Sequence, residues 1–337
     1  MAARPSIVLL LLALAATGEA GAQTPAAQAC TAKPTRACVS ALAALPPNGM
    51  AGIETLVHVV EAQLGAADLK AAALTLGQIR TAAGALGDAG EQLHVLAGLA
   101  IVTTVIKALD QATAGQGAEA LKTMATITEQ AEESEYISLL FAETAEGHAR
   151  AGRTKAAADV MAVAVTLSGA VKDDAIRRMT HNDIAVRQAA VQAQAGNVAA
   201  AEATADGLQG LLHIDAVNRI VAAGAAAQAR SGQAAEALET ASAIDFAPTR
   251  IQAFCTLADI HDAAGRPADA AEAIRRARVT LQAMPPGTDP SDEAMAAIVR
   301  AEARAGRLSE AMKLAAGVRS EVWRIVALDA VAAVAPD

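Results

Sequence analysis

Apolar and polar positions along the chain follow a repeating cassette: an alanine-rich stretch, Ala-Gly or Ser-Gly, two to four residues, and a second alanine-rich stretch. Clear copies centre on Gly152, Gly196, Gly232, Gly265 and Gly306, with fainter copies at Gly115 and Gly65. Consecutive glycines lie 33 to 50 residues apart, the range of helix–turn–helix repeats. Glycine takes the left-handed conformation that ends a helix, so each cassette predicts a helix, a tight turn and a second helix. Five residues after the glycine an alanine stands in six copies, Ala120, Ala157, Ala201, Ala237, Ala270 and Ala311, and Lys70 interrupts the column. Nine residues after it the side chain is apolar throughout: Leu74, Met124, Met161, Ala205, Ala241, Ile274 and Ala315. These positions are i and i+4 on one face of the second helix, where small side chains let a partner helix approach closely. They are expected to form the inner seam of each pair.

A second recurrence marks where first helices begin. Asp173 and Arg177, Asp174 and Arg178, and Asp215 and Arg219 are spaced i,i+4, with Asp245 and Arg250 five apart. An aspartate there caps the helix or complements its dipole while pairing with an arginine one turn on. The pattern divides the chain into residues 1–22, a signal peptide; 23–49, a proline-punctuated lead with two cysteines; 50–318, the repeats; and 319–337, a C-terminal capping helix in which Trp323 covers the end of the core. The segment 77–90, with Gly77, Gly84, Gly87 and Gly90, is the least regular part, and residues 284–291 are expected to form a loop.

The cassette resembles the tetratricopeptide repeat, in which a turn glycine is likewise followed at +5 by alanine and at +9 by an apolar residue. The resemblance covers roughly residues 50–318 and implies an all-α fold of helix–turn–helix repeats stacked as a TPR-like α-solenoid. It also implies a peptide-binding groove on the inner face of the first helices, six and two residues before each turn glycine. Here those positions hold Glu146 and Arg150, Ala190 and Gln194, Ala226 and Arg230, Asp259 and Ala263, and Arg300 and Arg304. The expected partner-binding residues are therefore Glu146, Arg150, Gln194, Arg230, Asp259, Arg300 and Arg304. The family's Lys and Asn carboxylate clamp is not visible, so capture of a peptide terminus is not expected.

Composition sharpens this picture. Alanine occupies 93 of 337 positions, hydrophobic residues make up 53%, and the only aromatics are Trp323, Tyr136, Phe141, Phe246 and Phe254. Alanine loses no rotamer entropy in a helix, whereas an all-β fold wants β-branched and aromatic residues, a base-stacking surface wants rings, and a disordered chain has fewer apolar residues. A net charge of −9 without a basic run disfavours nucleic acid or an acidic membrane as partner. Arg4, the apolar stretch from Ile7 to Ala16 and Ala20-Gly21-Ala22 read as a cleavable secretory signal, cut after Ala22. The mature chain is then expected to be periplasmic or secreted, with no transmembrane segment, and Cys30 and Cys38 to close a small disulfide loop. Cys255 is expected to pack as a small hydrophobe.

Catalytic patterns are sparse. No two of the six histidines, His58, His94, His148, His181, His213 and His261, fall at zinc-protease spacing, and Glu91 with His94 is a lone Glu-x-x-His. Asp259, His261 and Asp262 form the densest acid–imidazole group, read as capping and solvation. No phosphate loop or nucleophile elbow occurs, so no cofactor, metal or catalytic residue is expected. The expectation is an exported, non-catalytic scaffold that binds a protein or peptide partner in the cell envelope. The alternative is an envelope hydrolase or glycan-acting enzyme with Asp259 and Glu302 converging on one cleft. A third possibility, a helical shell around an apolar ligand, requires a dry cavity that alanine packing tends to close.

Overall fold

The computed structural model describes residues 30–43, 49–128, 134–285 and 289–336, and all regular structure among them is α-helical. The signal segment and its cleavage point lie outside the described residues. The helices are α1 (Arg36–Ala43), α2 (Gly49–Gly65), α3 (Leu69–Gly84), α4 (Ala89–Thr113), α5 (Gly117–Thr128), α6 (Ser134–Arg150), α7 (Thr154–Ser168) and α8 (Asp174–Gln194). They continue as α9 (Val198–Asp206), α10 (Leu211–Arg230), α11 (Ala234–Ser242), α12 (Ala247–Ala263), α13 (Pro267–Gln282), α14 (Asp289–Arg304), α15 (Leu308–Ala315) and α16 (Glu321–Val334). Two compact units divide the chain within α10: described residues up to Ile220 from α2 onward, and residues 221–336 together with 30–43.

Seven helix pairs, α2–α3 through α14–α15, share one turn. Six of their turn residues are the glycines at 115, 152, 196, 232, 265 and 306, with φ between 68° and 89°. The seventh corrects the sequence reading. Gly65 is the last residue of α2, and Ala67 takes the left-handed conformation instead, at φ 55°. Shifting the first copy by two residues replaces Lys70 and the exposed Leu74 with Ala72 and Leu76, both buried. The +5 column is thus alanine in all seven pairs, each at most 1% exposed, and the +9 column is buried throughout.

Each turn makes the same two backbone bonds. The turn residue's amide donates to the carbonyl three residues back at 2.8–3.1 Å, and the next amide donates five residues back at 2.8–2.9 Å. This is the Schellman arrangement, which satisfies carbonyls the helix end would otherwise leave open.

The side chains around the turn come in two sets. Four residues before the turn stand Gln63, Gln111, Gln192 and Gln228, and eight residues after the turn each is matched by a threonine: Thr75, Thr123, Thr204 and Thr240. Three of these hydroxyls donate to the glutamine Oε1 across the pair, at 2.9, 2.8 and 2.9 Å, while Gln228 Oε1 has no partner among the described residues. In the other three pairs the glutamine gives way to His148, His261 or Glu302, the threonine to Val160, Ala273 or Leu314, and the residue after the turn becomes Arg153, Arg266 or Arg307. Arg153 Nε donates to His148 Nδ1 at 2.7 Å, and Arg307 pairs with Glu302. A buried polar group needs a partner, and the threonine on the second helix or the arginine beyond the turn supplies it in five of the seven pairs; both ring nitrogens of the buried His261, like Gln228 Oε1, have none among the described residues, and Arg266 donates instead to Ala229 O at 2.7 Å.

In the first unit α6 crosses the α2–α3 turn at backbone contact. A Cβ on Gly147 would come within 2.6 Å of the Gly65 carbonyl oxygen, and Arg150 Nη2 donates to that oxygen at 3.2 Å. The α4 helix is long and apolar enough to cross a membrane by length and composition alone, and packs one side against α3 and α5.

In the second unit the lead packs on the C-terminal helix. The α1 helix lies against α16, Arg36 N donates to Pro336 O at 2.7 Å, and Cys30, bonded to Cys38, is buried with Val39, Leu328 and Val331. Trp323 packs against this cluster, and Asp292 of α14 accepts from Ser320 N at 2.8 Å, fixing the start of α16. A sequentially remote segment therefore stands beside α16 where the preceding pairs have a second helix.

Candidate functional site

The first-helix positions singled out by the repeat are built by the same helices that carry the turns. In the first unit the focus is Glu146 on α6, only 6% exposed. Its carboxylate receives Arg150 from the next turn of the same helix at 3.1 Å, Arg187 from α8 at 3.1 Å, and Arg219 from α10. Arg187 also reaches Glu143 at 2.5 Å, and Arg219 reaches Asp215 at 3.1 Å. The result is an alternating chain, Glu143–Arg187–Glu146–Arg219–Asp215, across three first helices. Burial alone would raise the Glu146 pKa, but the charges of Arg219, Arg150 and Arg187 overcome it and hold it at about 2. The carboxylate is therefore ionised at neutral pH. Gln194 sits at the last residue of α8.

The remaining expected residues lie in the second unit. Arg304 of α14 pairs with Asp259 of α12 at 2.6 Å. Burial pushes the Asp259 carboxyl up despite Arg304 and Arg300, and its Oδ1 has no hydrogen-bond partner among the described residues. Arg230 closes α10, where partial burial lowers its pKa. Glu302 does not join Asp259 as a carboxylate pair; it is buried against Arg307 and Arg278 of α13, the latter at 3.2 Å. Cys255 is buried and its thiol is pushed up to about 12 by burial and by Asp259, so at neutral pH it carries no thiolate.

No known protein family, curated protein or solved structure matches the chain.

Six residues before the turn the side chain is largely enclosed, with Glu146, Ala190 and Ala226 all buried. The partly exposed charges stand further back, at Glu143, Arg187, Asp215 and Arg219. Sequence reasoning read Asp215 and Arg219 as punctuation and passed over Glu143 and Arg187. The available signal was the spacing, since a helix stripe continues every three or four residues from Glu146 to Glu143. The Asp–Arg punctuation itself takes two forms. Asp173 caps α8 by accepting from Ala175 N and Ile176 N at 2.8 and 2.9 Å, while Arg177 pairs with Asp174 rather than Asp173. Arg177 and Arg250 each donate to the carbonyl six residues back, Val171 at 3.0 Å and Ile244 at 2.9 Å, tying the helix start to the preceding loop.

The same first helices leave large apolar side chains in water. Ile176 and Met179 of α8, and Leu211, Ile214 and Val217 of α10, are between 39% and 82% exposed. Ile176 lies eleven residues, three turns, before Arg187, so the two share one stripe of α8.

Proposed function

We propose that the protein is an exported, non-catalytic scaffold whose helix pairs continue as a TPR-like α-solenoid, and that it binds a protein or peptide partner in the cell envelope through its first helices. The identical turns and the unbroken alanine seam support the solenoid, because every pair repeats the same unit, one turn and one close contact between its two helices. The observation that carries the binding reading is the exposed apolar pair Ile176 and Met179 near the start of α8, three turns from the partly exposed Arg187 on the same helix. Apolar anchors beside fixed charges are what an extended segment needs for affinity and orientation. The charge chain through Glu146 holds the first helices in register, and the exposed side chains make the contact.

A crosslinking pulldown from the native envelope tests this, with wild type compared against a chain carrying Ile176→Ser, Met179→Ser and Arg187→Glu. Enrichment of the same partner by wild type and its loss in the variant is the expected result. Equal capture by both, at matched folding, would overturn it.

A further inference from the structure

We propose that the crevice between α3 and α4 in the first unit is a binding site for a single-chain anionic amphiphile, a long-chain carboxylate, with its headgroup at Arg80. A partly open cavity of about 20 Å³ lies among α2, α3, α4 and α6. Its wall is aliphatic except for Glu61 and Tyr136. A cavity of that size admits at most a water, and an apolar one stays dry, so the space is unfilled packing volume. Beside it an open groove of about 390 Å³ is lined by Arg80, Leu96, Leu99, Ala100 and Thr103. Leu99 lines both. At on the order of 30 Å³ per non-hydrogen atom the groove holds about a dozen, the length of a medium acyl chain.

Two further features point to the same occupant. Leu96, which lines the groove, is 42% exposed, and Leu93, three residues before it on α4, is 71% exposed. Arg80 is exposed and makes no ion pair among the described residues, although most arginines of the first unit are engaged with carboxylates or carbonyls. A lone guanidinium at the rim of an aliphatic groove selects an anionic headgroup with an apolar tail over a neutral or cationic one.

The test is displacement of dansyl-labelled undecanoate by dodecanoate on the mature chain, with dodecyltrimethylammonium as the charge control. Saturable one-to-one binding of dodecanoate is expected, with affinity at least about tenfold better than the cationic analogue. Arg80→Glu, a surface change that leaves the core untouched, is expected to lose that preference, and Leu99→Trp to abolish binding at an unchanged helical circular dichroism. Absence of saturable binding would overturn the proposal. So would equal affinity for the two headgroups, or binding indifferent to Arg80→Glu.

Discussion

Two glycines inside first helices should respond to alanine in opposite directions. Gly147 on α6 and Gly224 on α10 both sit in regular helix, where alanine is favoured by about 1 kcal/mol over glycine. At Gly224 an added Cβ meets nothing within 4 Å, so Gly224→Ala should stabilise by about 0.5–1 kcal/mol. At Gly147 the same methyl would stand 2.6 Å from Gly65 O and 2.9 Å from both Ala66 C and Ala67 N. These are backbone atoms of a turn fixed by two hydrogen bonds, so α6 must move away from it. Overpacking costs about 1–3 kcal/mol, and contact with backbone belongs at the upper end, leaving a net loss of about 2 kcal/mol after the helix gain. For a unit of this size, 1 kcal/mol shifts Tm by about 2–4 °C. Gly147→Ala should therefore lower Tm by about 4–8 °C while Gly224→Ala raises it by about 1–4 °C, read by thermal unfolding of each variant. An equal rise in both would refute the close crossing of α6 over the first turn.

Three further outcomes follow from the turns and the charge chain. Ala67→Gly should stabilise the first pair by about 1 kcal/mol, because alanine in the left-handed region costs about 1–2 kcal/mol that glycine avoids; an unchanged or lower midpoint in denaturant would contradict the corrected register. Glu146→Gln should cost about 3–5 kcal/mol by leaving buried arginine charge without its carboxylate, and it should also flatten the acid limb. The depressed Glu146 pKa means its stabilisation is complete above the unfolded carboxylate range and disappears as pH falls toward 2, so a variant with the wild-type acid limb would contradict its role. Burial first, and then the charge of Arg153, lower the His148 pKa to about 4, so its contribution is present above the ordinary histidine range and is lost as pH falls from about 6.5 to 4. Exchanging the set by His148→Gln with Val160→Thr should remove that slope in a pH series of unfolding midpoints, and an unaltered slope would refute the assignment.

Much of the fold is legible in sequence because it is local. A left-handed glycine with a small residue five positions on specifies a turn and a seam without reference to anything distant, and six of seven turns were placed that way. The first copy was misregistered because Gly65 offered the obvious turn residue, while the chain bends two residues later at an alanine held by the same pair of hydrogen bonds. The glutamine–threonine and histidine–arginine sets escaped because neither residue is constant; only their combination is, and a search for identical columns passes over it. Long-range features were out of reach. Nothing near Cys30 indicates that it packs under α16, and Arg219 meets Glu146 across 73 residues of chain. The candidate face was found in outline because positions two and six before the turn follow from the repeat. Its exposed part lies nearer the helix starts, where burial and not spacing decides what water can reach.

Site-specific photocrosslinking in the living envelope tests the central claim most directly. A photoreactive residue is placed in turn at Met179, Ile214 and Arg187 on the first helices and at exposed second-helix positions Leu74, Val165 and Val279. The account predicts one discrete adduct, identical in mass, from the first-helix positions and none from the second-helix ones. Adducts of equal yield from both sets, or only from Leu74, Val165 and Val279, would contradict it.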